Sequence, residues 1–292
     1  MRRSKVFALV SCAAVGATAF WFVAAQASTD GPYPQFPMLG AIMSGNRMLG
    51  AMSAKLNLSD GQKSEIRTIV NTERAKDAPT VDRLKQDSKS LRAMAESNTV
   101  DQTQLTAVAH STSATAIDLV VDLARAKSRI YTVLTPDQRI QAKEMQAKSL
   151  TSFRENLSTM QNKQGRMMAF VAARLDLNDD QKSQALAILA TERAAIRPNV
   201  AEIALDLKGL QPITQSGSFN EPAVRAQAQK AQQPLEALLI DTIQTRSQLY
   251  ALLTPEQKAK AEMMQKTFRS KLAQRILNRF ATPDSANTQS VI

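Results

Sequence analysis

The chain has 292 residues, a formal net charge of +11 at pH 7, and a single cysteine, Cys12. Aromatic residues make up only 4% of the sequence, so it offers no stacking platform of the kind that binds single-stranded nucleic acid. The basic balance instead favours acidic partners such as anionic polypeptide segments, lipid head groups or envelope polymers.

Residues 1–27 have the features of a secretory signal peptide. Three basic residues among the first five precede an apolar run over residues 6–25, and Ala25-Gln26-Ala27 is a small-x-small cleavage pattern. We predict export to the periplasm with cleavage after Ala27, which lowers the net charge from +11 to +8 and removes Cys12. Two alternatives stay open: a lipoprotein site at Leu9-Val10-Ser11-Cys12, and retention of the apolar run as a membrane anchor.

A tandem duplication with an offset of 119 residues organises the rest of the chain. It relates several motifs without a gap: Leu56-Asn57-Leu58 to Leu175-Asp176-Leu177, Thr72-Glu73-Arg74-Ala75 to Thr191-Glu192-Arg193-Ala194, and Leu134-Thr135-Pro136-Asp137-Gln138 to Leu253-Thr254-Pro255-Glu256-Gln257. Such a fixed period indicates a repeat architecture. We assign the repeats and their flanks as follows: leader 28–37, first repeat 38–156, second repeat 157–280, and a disordered tail 281–292.

The fold class follows from periodicity, since apolar residues recur at helical spacing and no stretch sustains strand-like alternation. In Thr135-Pro136-Asp137-Gln138, Thr can cap a helix, Pro suits its first position, and Gln can complete a capping box. Equivalent helix starts are predicted at Ser59, Thr99, Asn178 and Thr254, while Ser218 and Asn220 compete for one start. We expect an all-α chain with four helices in each repeat, in which Pro79 and Pro198 kink or restart the second helix.

The third helix of each repeat carries an apolar seam with alternating spacings of four and three residues, as in helices that pack lengthwise. The seam positions are Leu105, Ala109, Thr112, Ala116, Leu119, Leu123, Ala126, Ile130 and Val133, with their copies Val224, Ala228, Ala231, Leu235, Leu238, Thr242, Thr245, Leu249 and Leu252. Because a short connection holds the repeats at high effective concentration, we predict a pseudo-dimer within one chain and a monomeric protein.

The sequence carries no catalytic signature. It has no Gly-rich phosphate loop, no G-x-S-x-G elbow and no oxygen-rich loop of the EF-hand kind, so we expect no enzyme, cofactor or metal. The only histidine, His110, lies off the seam and is expected to be exposed. The pairs Glu73-Arg74 and Glu192-Arg193 are interpreted as solvated faces with local ion pairs, with a functional polar cluster as the alternative.

The repeated Leu-Thr-x-x-Gln after a long helix, with a preceding Leu-x-Leu-x-x-x-Gln-Lys helix start and a signal peptide, resembles the LTxxQ family of Spy and CpxP periplasmic proteins. The resemblance covers both repeats, roughly residues 38–280. It implies small four-helix units that dimerise into a thin curved cradle, here supplied by one chain. The residues that form the family's structural motif in this chain are Leu134, Thr135, Pro136 and Gln138, with their copies Leu253, Thr254, Pro255 and Gln257.

The resemblance also implies an ATP-independent chaperone that binds unfolded or aggregation-prone envelope proteins on a basic concave surface. Methionines beside arginines fit such an adaptable surface, although core filling explains them equally well. The candidate client-binding residues are Arg47, Met48, Met52, Arg166, Met167 and Met168. The alternatives are an accessory regulator of an envelope-stress sensor kinase, which would bind its periplasmic domain, and an envelope-polymer binding module.

Overall fold

The computed structural model describes residues 53–145, 168–214, 218–264 and 266–267. Its long helices are α1 (Asp60–Ala95) and α2 (Gln102–Val133) in the first repeat, and α3 (Asp179–Thr214), α4 (Glu221–Gln229) and α5 (Gln232–Ala251) in the second. Further helical residues flank them at 53–56, 136–145, 168–174 and 255–264. Within these ranges there is no strand, so the all-α tandem repeat is confirmed.

Capping boxes begin the helices at four of the predicted positions. At Ser59 the side chain accepts a hydrogen bond from the backbone of Gln62, and the Gln62 side chain accepts one from the Ser59 backbone. The same reciprocal pattern occurs at Thr135, Asn178 and Thr254. These boxes satisfy amide groups that the first helical turn would otherwise leave unpaired.

The third helix of the first repeat does not begin at the predicted residue, and the third helix of the second repeat begins at one of its two predicted residues. The start at Thr99 is wrong, because Asp101 caps α2 by accepting from the backbone N–H of Gln104 at 3.0 Å. In the second repeat Asn220, and not Ser218, caps α4 by accepting from the backbone N–H of Ala223. Since positions 101 and 220 are related by the 119-residue offset, both copies use the same cap position.

Prolines affect the helices unevenly. Helices α1 and α3 continue through Pro79 and Pro198, so neither proline restarts its helix. The break comes elsewhere, between α4 and α5, where Pro234 in the first turn of α5 has no N–H to donate to a preceding carbonyl. The equivalent residue in the first repeat is Thr115, which lies inside the uninterrupted α2.

The Leu-x-Leu motif closes the helix that precedes α1 or α3. Asn57 and Asp176 have φ values of 50° and 52°, in the left-handed region that short polar side chains tolerate. The next residue, Leu58, donates its N–H to the Ser53 carbonyl at 3.0 Å, which is the backbone pattern of a Schellman cap. The motif thus turns the chain sharply and buries the leucines that flank the turn.

The glutamine of the Leu-Thr-x-x-Gln motif does more than cap its own helix. Gln138 Nε2 donates to the Leu56 carbonyl and to Gln62 Oε1, both at 3.1 Å. In return Gln62 Nε2 donates to Gln138 Oε1 at 2.7 Å and to the Val133 carbonyl at 2.9 Å. We call this reciprocal amide pair the glutamine clasp. It joins the turn before α1 to the turn after α2.

An equivalent clasp is present in the second repeat. Gln181 Nε2 donates to Gln257 Oε1 at 2.8 Å and to the Leu252 carbonyl at 2.7 Å. Gln257 Nε2 donates to Gln181 Oε1 at 3.0 Å and to the Asp176 carbonyl at 3.2 Å. The motif therefore recurs because one polar connection between two turns was duplicated.

Each clasp lies beside a small apolar cluster at the end of its repeat. Leu134 is 4% exposed and packs with Leu56, Leu58 and neighbouring α1 and α2 residues, while the half-buried Leu253 packs against Leu175 and Leu177. Thr135, Pro136, Thr254 and Pro255 are exposed. The apolar member and the glutamine of each motif thus fix tertiary contacts, whereas the residues between them start the helix.

The main core lies between the repeats, where α2 packs against α4 and α5. One cluster contains Leu105 from the start of α2 together with Ile240 from α5, and another contains Val121 from α2 together with Val224 from α4. Val224 is the copy of Leu105, and Ile240 is the copy of Val121. The two residues of one contact are therefore the copies of the two residues of the other contact, as in the isologous interface of a two-fold dimer. The predicted pseudo-dimer is confirmed.

A polar pair shows the same pseudo-symmetry. Arg125 donates to Glu221 at 2.5 Å, and Gln244 donates to Gln102 at 2.7 Å. Since Gln244 is the copy of Arg125 and Gln102 is the copy of Glu221, these are one contact made twice. It is an ion pair in one copy and a neutral amide pair in the other. The interface therefore kept its geometry while its charges diverged.

Substitution of Gln138 by glutamate separates capping from the clasp. Glutamate keeps the acceptor that completes the capping box, but it cannot donate to the Leu56 carbonyl or to Gln62. We expect Gln138→Glu to lower the free energy of unfolding by about 2 kcal/mol, because half-buried acceptors lose their donor. Urea unfolding followed by circular dichroism measures the loss, with Gln141→Glu at an exposed position of the same helix as the control. Equal stability of the two variants would show that the motif is only a cap.

Candidate functional site

The predicted client-binding residues fall mostly in segments outside the described residues. This applies to Arg47, Met48, Met52, Arg166 and Met167. Met168 is described, and its half-buried side chain packs against the cluster of Ala172, Leu175 and Leu177. At this one position the core-filling interpretation holds at least in part.

Sequence reasoning missed two buried carboxylates. Glu73 is only 3% exposed and Glu192 only 6%, so the interpretation of their positions as solvated faces is wrong. Glu73 accepts from Arg129 of α2 at 2.8 Å, which is a contact between two helices. The recurrence of Glu73 and of Asp122 at the same offset was visible in the sequence, but nothing there indicated that both side chains point between α1 and α2.

Three carboxylates meet between α1 and α2 of the first repeat. Glu73 and Asp77, one helical turn apart on α1, approach Asp122 on α2, and oxygens of all three lie within 4.8 Å of one another. Asp77 is 3% exposed, like Glu73, and the Asp122 side chain is 15% exposed. We call Glu73, Asp77 and Asp122 the carboxylate cluster. No single stretch of sequence could reveal it, because the cluster forms only when the helices pack.

Basic side chains surround this cluster. Lys76 donates to Asp122 at 2.7 Å, and Arg125 also donates to Asp122. Burial raises the pKa of Asp122, but the hydrogen bonds from Lys76 and Arg125 more than offset it, so the pKa lies below its ordinary value. Burial, together with the Asp122 and Glu73 carboxylates, raises the pKa of Asp77 from 3.8 to about 6.

The second repeat retains a reduced form of the arrangement. Glu192 and Asp241 are the copies of Glu73 and Asp122, whereas Ile196 replaces Asp77. Burial and the Asp241 carboxylate raise the pKa of Glu192 from 4.5 to about 7, although Arg193 and Arg246 act in the opposite direction. Burial raises the pKa of Asp241 as well. The two repeats therefore hold buried acids at the same place in different electrostatic surroundings.

His110 is exposed, as predicted, but it also contacts the other repeat. Its side chain is 65% exposed, and Nδ1 lies 2.9 Å from Glu236 Oε2. Asp118, eight residues further along α2, accepts from Arg225 of α4 at 2.6 Å. These contacts add a polar rim to the apolar interface between the repeats.

The outward surface of α3 combines apolar and basic side chains. Leu186 and Leu205 are 54% and 69% exposed, and Arg193 and Arg197 lie between them with exposed side chains. At 3.6 residues per turn these four positions fall within about a third of the helix circumference. We call them the α3 stripe. In the first repeat, by contrast, Arg67 and Gln86 occupy the positions equivalent to Leu186 and Leu205, so the apolar character belongs to one repeat only.

The raised pKa of Glu192 gives a prediction for stability against pH. The folded protein keeps a proton on Glu192 that the unfolded chain releases between pH 4.5 and about 7, so the stability that this group contributes is lost as pH rises through that range. We expect Glu192→Gln to remove this loss and to stabilise the protein at pH 8, relative to wild type, by on the order of 2 kcal/mol.

Urea unfolding at pH 5 and pH 8 provides the measurement. Glu202→Gln is the matched control, since Glu202 lies exposed on the same helix. If wild type and Glu192→Gln lost the same amount of stability between pH 5 and pH 8, this result would contradict the account of the buried acid.

Comparison with known families agrees with the geometry of the clasps. The family model described as LTXXQ motif family protein matches twice, at residues 44–146 and 162–265, and each match contains one clasp. Comparison with curated proteins and with solved structures gave no significant match. Among the described helices, none is long and apolar enough to cross a membrane. Because its two matches cover more than half of the chain, this protein belongs to the LTXXQ motif family.

Proposed function

We propose that the protein is an ATP-independent chaperone that acts in the periplasm after export and binds unfolded or aggregation-prone segments of other proteins. The α3 stripe carries this proposal, because it presents large apolar side chains to solvent beside arginines on one helix face. Unfolded polypeptides expose apolar segments and often acidic ones, which such a surface can contact together. Membership of the LTXXQ motif family supports the same function.

The charge of the chain determines how clients would bind. A net charge of +11, or +8 after removal of the predicted signal peptide, attracts acidic segments from a distance and speeds their encounter. The exposed side chains of the α3 stripe offer contact without a deep pocket, so each contact is weak and release needs no nucleotide. A client can then fold while it is attached or between encounters.

Suppression of client aggregation tests the proposal directly. We expect the exported form, at up to equimolar amounts and without nucleotide, to suppress the aggregation of two unrelated clients as measured by light scattering. Added salt is expected to weaken the effect, because exposed charges are screened within about 8 Å at physiological ionic strength. Unchanged aggregation of several clients at low salt with excess protein would contradict the chaperone function and would favour a regulator of an envelope-stress sensor kinase.

The first repeat supplies the substitutions that test the α3 stripe. Leu186→Arg combined with Leu205→Gln installs the residues that the first repeat carries at the same positions. We expect this variant to require severalfold more protein for the same suppression while its thermal stability stays unchanged, because both side chains are exposed. Met263→Gln, at a side chain that is 66% exposed on another helix, is the control. Equal activity of both variants would mean that clients bind elsewhere, and Arg47→Glu with Arg166→Glu would test the surface predicted from sequence.

A further inference from the structure

The carboxylate cluster is unusual because two of its side chains are almost completely buried and incompletely paired. Glu73 and Asp77 are each 3% exposed, yet Glu73 Oε2 and Asp77 Oδ1 have no hydrogen-bond partner. A buried acceptor without a partner costs about 1 to 3 kcal/mol, and more when it carries charge. Two such oxygens in one cluster therefore indicate that something binds between the carboxylates.

The surrounding cations do not fill this role, because they bind other oxygens. Arg129 binds Glu73 Oε1 at 2.8 Å, while Lys76 and Arg125 bind Asp122 Oδ1. Arg125 Nη1 lies 3.9 Å from Glu73 Oε2, beyond hydrogen-bond distance. These cations therefore leave Glu73 Oε2 and Asp77 Oδ1 without a hydrogen-bond partner.

A proton alone satisfies only part of the cluster. It can bridge Asp77 and Asp122, and a raised pKa for Asp77 agrees with that arrangement. One proton between two oxygens still leaves Glu73 Oε2 without a partner. A cation that accepts several oxygen ligands at once can contact all three carboxylates.

We propose that Glu73, Asp77 and Asp122 bind one hard divalent cation, for which Ca²⁺ is the best match. Ca²⁺ takes about six to eight oxygen ligands at roughly 2.3–2.6 Å, so oxygens on opposite sides of the ion are about 5 Å apart. Three carboxylate oxygens within 4.8 Å of one another fit inside that limit. Water that enters beside the 15% exposed side chain of Asp122 can complete the coordination. The proposed site differs from the expectation from sequence, which considered a metal-binding loop and not ligands from two packed helices.

The second repeat is a natural comparison for this site. It keeps two carboxylates, Glu192 and Asp241, but has the fully buried Ile196 in place of Asp77. Two carboxylates provide less charge and fewer ligands than three, and cation affinity depends on both. One cation is therefore expected per chain, bound in the first repeat.

Isothermal titration of the full exported chain with CaCl₂ at pH 7.5, after removal of metals by a chelator, tests the site. We expect one cation per chain, and thermal unfolding shifted to higher temperature when Ca²⁺ is present. Asp77→Asn should lower the affinity roughly tenfold or more, since it removes one charged ligand while keeping the shape. Asp82→Asn, an exposed position on the same helix, should bind as wild type does.

Further results separate this proposal from its alternatives. Without metal, we expect Asp77→Asn to unfold at the same temperature as wild type or higher, because the amide relieves repulsion among the carboxylates. The cation site would be overturned in favour of a shared proton if wild type gave no binding heat with CaCl₂, MgCl₂ or MnCl₂ and if its stability depended only on pH. Equal Ca²⁺ affinity of Asp77→Asn and wild type would also overturn it.

Discussion

The packing of α2 against α4 and α5 is the interaction on which the rest of the structure depends. Each repeat alone would lose the apolar contacts that bury Leu105 of α2 and Val224 of α4, and apolar residues of that kind must be buried against another element. The pseudo-two-fold arrangement buries the first seam position of each repeat, since Leu105 packs near Ile240 and its copy Val224 packs near Val121. The other end of the α2 seam, at Ile130 and Val133, packs within the first repeat. The clasps then fix the turns at the outer ends of the helices that the interface has aligned.

Duplication within one chain allowed the two copies to diverge. A dimer of identical chains must present the same residue at both equivalent positions, whereas this chain has Arg125 at one and Gln244 at the other. The same freedom gave the first repeat Asp77 and the second repeat Ile196, and gave the second repeat the exposed Leu186 and Leu205. The proposed cation site accordingly lies in the first repeat, and the proposed apolar contact surface lies in the second.

The sequence predicted the features that depend on local pattern. The 119-residue period and the capping boxes predicted the all-α repeat, and the seam predicted part of the pairing between repeats, because each pattern rests on residues that can be read directly from the chain. It did not predict the break before Pro234 or the burial of Glu73, since these depend on which neighbours each helix meets. The clasp was half predicted: the capping role of Gln138 could be read locally, but its bonds to Leu56 and Gln62 join residues about 80 positions apart.

Hydrogen exchange measured by mass spectrometry tests most directly whether the two repeats form one cooperative unit. Leu105 is fully buried in the cluster that α2 shares with α5, and Leu105→Ala should cost about 2 to 5 kcal/mol. The account predicts that this substitution in the first repeat lowers the protection of α5, Gln232–Ala251, as much as that of α2, because the elements open together. Loss of protection in α2 with unchanged protection in α5 would contradict it.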